Sequence, residues 1–400
     1  MRSRTHLTRA LLSVAGALSL LVPAGSAQAT TATDPGISPV FVKNTTLASG
    51  VVLSQWRITN TTTAHRSTCY VLRAAIGAGA HLKVPGLVTS GRWPLIGTAN
   101  TAGIFSAING DYFDYASGAP LHPWLQGGAP MMITSDHLGV LGVGTDGVVR
   151  DADVWLEGRV TSGRKSYALA GINTPFSPAR PTLYTARWGA AARPTARGAV
   201  EVVVRRNKVV AVHTAITSTP VPSDGVIIDG PRAVVGVPAI GSTLYTARAI
   251  RTNATNAAKV AVPFESAIGH GLRLISDTGT GTGKVNDWGA GDASARPRTA
   301  VGIVHNAIVH NVKVPNTLLL IACVGDDSTT GGYNGLGDNE LTSFLVHSGL
   351  GVTSAVLLDG GGSTTLAARL AGQSSMSYVV TPAGNAYTRP TADAIGISVP

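Results

Sequence analysis

From residue 50 onward this chain breaks into short runs rich in Val, Ile, Thr and Ala, each closed by Gly, Pro, Asn or Asp. That punctuation limits the fold more than any other feature. β-Branched side chains are stiff and fit a pleated surface, whereas glycine and proline end elements. With 48 glycines in 400 residues, few windows can carry a helix. The patterning predicts strands over residues 51–59, 69–75 and 105–108, a helix near 98–103, and hairpin after hairpin between 130 and 260. Residues 200–204 and 209–212 flank Arg205-Arg206-Asn207-Lys208, an ordinary solvated turn.

The last third changes character. Residues 317–324 are continuously apolar, as in a strand buried on both faces. Residues 338–348 have helical spacing, with Leu341, Phe344 and Leu345 apolar and Gly349 placed to stop the helix. Residues 355–358 form another buried strand, followed at once by Asp359-Gly360-Gly361-Gly362-Ser363-Thr364-Thr365. The fold expected is α+β, a strand-rich mixed sheet with few helices, in one large domain over residues 48–400.

The N-terminus reads as an export signal over residues 1–29. Arg2, Arg4 and Arg9 precede 13 apolar or small residues, and Ala27-Gln28-Ala29 is a cleavage site. The apolar stretch is too short to span a bilayer, which takes about 20 residues, so no stable membrane insertion is expected. Residues 30–47, rich in Thr, Pro, Ala and Ser, read as a linker or an N-terminal edge-pairing arm. Removing the signal lowers the formal charge from +10 to +7, with 28 basic and 21 acidic residues left. The charges are scattered, with no basic run to track nucleic acid. A mild basic excess suits an anionic envelope polymer and, equally, plain solubility. The location expected is secreted, extracellular or associated with the cell envelope.

Cys69 and Cys323 each sit in an apolar strand-like run. Export permits a disulfide, and two buried thiols fit the pattern equally well. No Cys-x-x-Cys exists to bind zinc through sulfur.

Three motifs carry chemistry. In the first, Asp359 ends a buried strand where open sheets place ligands, and Gly360, Gly361 and Gly362 let backbone N–H groups approach an anion. Ser363 and Thr364 add hydroxyls. In the second, Asn109-Gly110-Asp111-Tyr112-Phe113-Asp114 packs an amide, two carboxylates and two aromatics past a strand. A plain Asn-Gly turn would use the same residues. In the third, Arg296-Pro297-Arg298-Thr299 offers an arginine fork and a hydroxyl that can hold a phosphate.

These motifs, in the order Ala107-Ile108-Asn109-Gly110-Asp111-Tyr112-Phe113, Pro297-Arg298-Thr299-Ala300-Val301-Gly302 and Leu358-Asp359-Gly360-Gly361-Gly362-Ser363-Thr364-Thr365, resemble the phosphodiester glycosidase family. The likeness takes in about residues 48–400, with weaker stretches at Leu183-Tyr184-Thr185, Pro222-Ser223-Asp224-Gly225 and Arg389-Pro390. The chain departs from the family pattern at Ile268-Gly269-His270-Gly271-Leu272, at Val324-Gly325-Asp326-Asp327, and at His122, where the family often has glycine.

The resemblance implies a secreted hydrolase that cleaves a sugar-1-phosphate diester of the GlcNAc-1-phosphodiester kind, in an envelope or extracellular glycopolymer. Asp359 and Asp111, with Asp114 third, are the candidate catalytic carboxylates. Asn109, Gly110, Arg298, Thr299, Gly360, Gly361, Gly362, Ser363 and Thr364 are the candidate substrate contacts. The three segments are therefore expected to converge on one cleft. Two other readings are a non-catalytic exopolysaccharide-binding envelope protein and a metal-dependent phosphodiesterase. No cofactor is implied. Asp326, Asp327, Asp338 and Glu340 crowd one Gly-rich loop that could hold a calcium ion, although EF-hand spacing is absent. Residues 278–284 miss the phosphate-loop pattern, and His305 and His310 read as structural.

Overall fold

A computed structural model of the chain describes residues 36–77, 79–101, 103–175, 177–194, 197–217, 219–277, 283–285, 291–309, 312–325, 335–382 and 388–400. The predicted signal, His310, Asp326, Asp327 and most of the segment resembling a phosphate loop lie outside them.

Three sheets make up the fold. The eight-stranded sheet runs Ile37–Ala48, Val51–Asn60, Arg66–Ile76, Val312–Gly325, Arg298–Val309, Ser354–Leu357, Arg273–Asp277 and Gly283–Val285. The five-stranded sheet runs Ser377–Val380, Leu366–Ala368, Ser106–Asn109, Ala394–Ser398 and His81–Lys83. A twelve-stranded sheet takes the strands between Trp124 and Gly269. Residues 37–48, the second half of the expected linker or arm, are an edge strand.

The architecture is mostly β, a correction to the α+β balance expected. Among the described residues the α-helices are Leu95–Thr101, Arg232–Val235 and Asp338–His347. One strand ladder in them, Gly171–Ile172 with Thr182–Tyr184, is parallel. The strand–helix–strand pattern of the last third does exist, but Arg298–Val309 lies between its two strands and pairs antiparallel with both. The solvated turn at 205–208 is real, with Arg206 and Asn207 both at positive φ, the geometry that matches a tight hairpin to strand twist.

The buried run at 317–324 explains why these layers hold together. Leu318, Leu320 and Ala322 face a core shared with the five-stranded and twelve-stranded sheets, including Ile108, Ile395 and Leu141. Leu319, Ile321 and Cys323 face the other way, into the core capped by Leu341, Phe344 and Leu345 of the helix. An alternating strand would have left one face wet.

Cys69 and Cys323 are directly paired across neighbouring strands and form a disulfide. It closes a loop of 254 residues, for which chain entropy alone suggests about 5 kcal/mol. We predict that Cys69→Ala/Cys323→Ala lowers unfolding free energy by roughly 3–5 kcal/mol in denaturant titration. A change under about 1 kcal/mol would show that strand pairing already holds the sheet without the bond.

Candidate active site

Loops from all three sheets enclose a cleft of about 810 Å³. Asp359 and Gly360–Gly362 follow the strand Ser354–Leu357, and Arg298 opens the strand beside it. Tyr112 follows Ser106–Asn109 of the five-stranded sheet, and His122 leads into Trp124–Gln126 of the twelve-stranded one. The three sequence motifs therefore meet in space.

A buried amide joins them. Asn109 Nδ2 donates to the Asp359 carbonyl at 2.7 Å, across 250 residues of sequence. Asn109 Oδ1 accepts from the Thr299 hydroxyl and the Thr365 N–H, both at 3.0 Å. Thr299 Oγ1 also lies 3.2 Å from the Thr364 hydroxyl. Asn109, Thr299 and Thr364 are fully buried, and buried polar atoms must find partners inside the protein. They position the motifs and do not face the cleft as substrate contacts. Gly110 changes role too. A Cβ there would fall 2.2 Å from Asp393 Oδ1 and 2.9 Å from its carbonyl oxygen, so glycine admits Asp393 and meets no ligand.

The carboxylates divide. Asp111 is wholly buried and grips His122: Oδ1 lies 2.8 Å from His122 Nδ1, and Oδ2 accepts the His122 N–H at 2.8 Å. It acts through His122 and does not reach substrate itself. Asp114 accepts the N–H and hydroxyl of Ser117, both at 2.7 Å, and so caps a local turn outside the cleft. The Ser117 hydroxyl holds its carboxyl below the usual range. Asp359 alone of the three lines the cleft. Burial pushes its carboxyl up to about 6, against the Ser363 hydroxyl bond and the Arg389 charge, while Asp111 adds to the rise.

His122 lines the cleft, and its Nε2 makes no hydrogen bond among the described residues. Burial disfavours the imidazolium, but the bond to Asp111 and its charge outweigh that and raise the pKa above 6.5. Below the pair, Asp393 is fully buried and accepts the Asp111 N–H at 2.9 Å. Burial first, then the Asp111 charge, hold its pKa well above the usual carboxylate range.

Arg298 borders the cleft, yet most of its five N–H donors are spent. Nε donates to the Leu336 carbonyl at 2.7 Å, and Nη2 to the carbonyls of Asp292 and Ser294 at 3.0 and 3.1 Å. It also pairs with Asp338 at 3.0 Å and Asp292 at 3.2 Å. It is a fixed cation in the wall, not an open fork. The open fork is Arg389. Its Nη1 donates to the Tyr115 hydroxyl at 2.8 Å and lies 3.4 Å from Ser363 Oγ. No carboxylate pairs with it among the described residues, and it packs on Gly362, where a Cβ would fall 2.6 Å from Nη2.

Among the described residues no group of three or more His, Cys, Asp or Glu side chains is placed to hold a metal ion. Of the acidic loop considered for calcium, Asp338 is bound to Arg298 and the Asp292 N–H. Glu340 is bound to Asn60, Thr63, His65 and the Gly337 N–H.

The sequence profile of the phosphodiester glycosidase family matches residues 198–398. The chain belongs to that family. Among curated proteins none matches. A hypothetical protein from Synechocystis superposes with a TM-score of 0.68 at 22% identity, over 91% of this chain; the match spans 64% of that protein. An exported protein from Burkholderia pseudomallei gives 0.66 at 16% identity, covering 91% and 97% of the two chains. The catalytic domain of zebrafish N-acetylglucosamine-1-phosphodiester alpha-N-acetylglucosaminidase gives 0.42 at 14%, covering 92% and 84%. Family membership places the chain among glycosidase-type hydrolases.

The family match takes in the Arg298 and Asp359 motifs but begins after Asn109. In this chain the Asn109 motif is joined to the cleft through the hydrogen bonds just described. Sequence reasoning missed Arg389 and Asp393 as site residues. Arg389 was visible only as part of a weak family stretch. Asp393, a lone carboxylate bracketed by Ala392 and Ala394 at the start of a strand, was the better clue.

The Asp359 carboxyl makes a sign-definite prediction. With a folded pKa of about 6 against an ordinary 3.8, the native state holds a proton that the unfolded chain has released. Its contribution to stability therefore falls as pH rises from about 4 to 6. Asp359→Asn should gain Tm relative to wild type between pH 4 and pH 8 in calorimetry. A difference in Tm that does not change with pH would mean that Asp359 is not buried at this cost.

Proposed function

We propose that this chain hydrolyses the glycosidic bond of a sugar-1-phosphate diester, of the GlcNAc-1-phosphodiester kind, in an extracellular or envelope glycopolymer. One observation carries the reading. Asp359 is the cleft carboxylate with no ion-pair partner among the described residues, and it shares the cleft with Arg389, whose fork is largely unspent. A substrate that brings an anomeric carbon and a phosphate together meets both needs.

An ordinary glycosidase needs an acid to protonate a poor leaving oxygen. A phosphate monoester leaves well without one. Arg389 takes the departing phosphate, and the buried Arg298 and the exposed Arg296 add positive charge along the same wall. Asp359, ionised above pH 6, acts at the anomeric carbon on the other side. His122, oriented by Asp111, handles the proton of the attacking water. Tyr112 stays a neutral hydroxyl, because burial and then the Asp359 charge hold its pKa well above 10, and it can donate to a sugar or phosphate oxygen. Export is part of the proposal, supported by the N-terminal pattern and the Cys69–Cys323 disulfide.

The test is release of reducing sugar from a panel of sugar-1-phosphodiesters, UDP-sugars included. The pH–rate profile should rise through about 6 with Asp359 and change again where His122 titrates, and His122→Gln should erase that second feature. Arg389→Ala should lower kcat and kcat/KM together by about 100-fold on phosphodiesters. On an activated aryl glycoside of the same sugar, which has no phosphate to leave, it should change little. Asp359→Asn should abolish turnover of both. Equal losses in Arg389→Ala on the two substrates would remove the phosphate-clamp role.

A further inference from the structure

A second pocket, of about 280 Å³, lies on the eight-stranded sheet just past the end of the helix Asp338–His347. It does not share a residue with the catalytic cleft. It is formed because the helix covers the sheet only as far as Ser348. Strand register puts Arg73 opposite Val52 and Leu319, so its side chain shares the helix-covered face with Ser54, Trp56 and Thr317. Under a helix with an apolar face, an arginine is costly to bury unless something pairs with it.

Among the described residues nothing does. Arg73 makes no hydrogen bond or ion pair among the described residues, and burial lowers its pKa with no carboxylate to offset that. Its pocket neighbours are unsatisfied as well. Thr317 is 1% exposed, and its hydroxyl is buried without a partner. The Trp56 indole N–H and the Ser348 hydroxyl are buried and unpartnered too. Native proteins keep such atoms few, and three around one unpaired guanidinium are a set of donors awaiting an acceptor.

The wall of the pocket fits a sugar ring. Trp56 is held edge-on between Phe41, at 5.3 Å, and Phe344, at 5.7 Å. Phe41 is 48% exposed, so an aromatic surface stands beside the donors. Aromatic faces pack against the C–H faces of pyranoses, and the pocket is at the small end of ligand sites, roughly 300–1,000 Å³. We propose that this pocket is a second, non-catalytic binding site for a single pyranose bearing an oxyanion, with Arg73 pairing the anion. It does not rest on the activity assigned to the cleft.

The bland alternative is that Arg73 only complements the negative C-terminal end of the helix, with water on the other donors. Titration calorimetry of the full mature chain separates the two. The probes are glucuronate, glucose 6-phosphate and neutral glucose, with Arg389→Ala present to silence the cleft. The expected result is saturable binding of glucuronate or of the phosphate, at least tenfold tighter than glucose; which of the two binds identifies the anion. Arg73→Gln should weaken it at least tenfold. Thr317→Val, nearly isosteric and therefore safe for folding, should weaken it severalfold while leaving Tm unchanged or higher. Absence of binding by either anionic sugar, equal binding of glucose, or unchanged affinity in both variants would overturn the proposal.

Discussion

One buried amide governs the cleft. Asn109 contributes no atom to substrate, yet its three hydrogen bonds fix the Asp359 carbonyl, Thr299 and Thr365 in one arrangement. The partners come from two other parts of the chain: Thr299 from a strand, and Asp359 and Thr365 from the two ends of the glycine turn. An unsatisfied buried polar group costs about 1–3 kcal/mol, roughly twice what a satisfied bond contributes, so losing one partner is penalised beyond the lost bond. The glycine turn is pinned by the same logic, with Asp359 N–H donating to the Gly110 carbonyl at 3.1 Å and Gly361 N–H to the Pro297 carbonyl at 2.8 Å.

That rigidity lets the cleft keep charges in unfavourable places. Asp111, Asp359 and Asp393 lie close together: Asp111 raises the pKa of both others, and Asp359 adds to the rise at Asp393. The three are told apart by their surroundings: Asp111 is bound to His122, Asp393 is held well above the usual carboxylate range, and Asp359 is raised to about 6. Beside the glycine turn Arg298 is bound to Asp292 and Asp338, which fixes its position at the expense of its reach. Arg389, held among the described residues by the Tyr115 and Ser363 hydroxyls, keeps the freedom to meet a ligand. A fixed cation and an adaptable one suit a phosphate that must be held and then released.

Much of this was legible in the sequence, and the limits are physical. Strand positions were readable because apolar runs such as 317–324 leave no other option, and the helix from Asp338 was readable from its spacing. Motif residues were readable as a group because their types are unusual together. Their individual roles were not, because role depends on which way a side chain turns. Asp111 and Asp114 stand three residues apart in one motif. One grips a histidine eleven residues on, and the other caps its own turn. Thr299 looked like a phosphate ligand beside Arg298, but strand alternation turns it into the core. The pairing of Cys69 with Cys323 needed the register of two strands far apart in sequence.

The account turns on which bond breaks. If Asp359 acts at the anomeric carbon while Arg389 receives phosphate, water oxygen enters the sugar. Hydrolysis of a GlcNAc-1-phosphodiester in ¹⁸O-labelled water, with mass analysis of the phosphate product, reads this directly. The account predicts a phosphate monoester free of label. Label in that phosphate would mean that the P–O bond is cleaved, and the roles given to Asp359 and Arg389 would have to be abandoned.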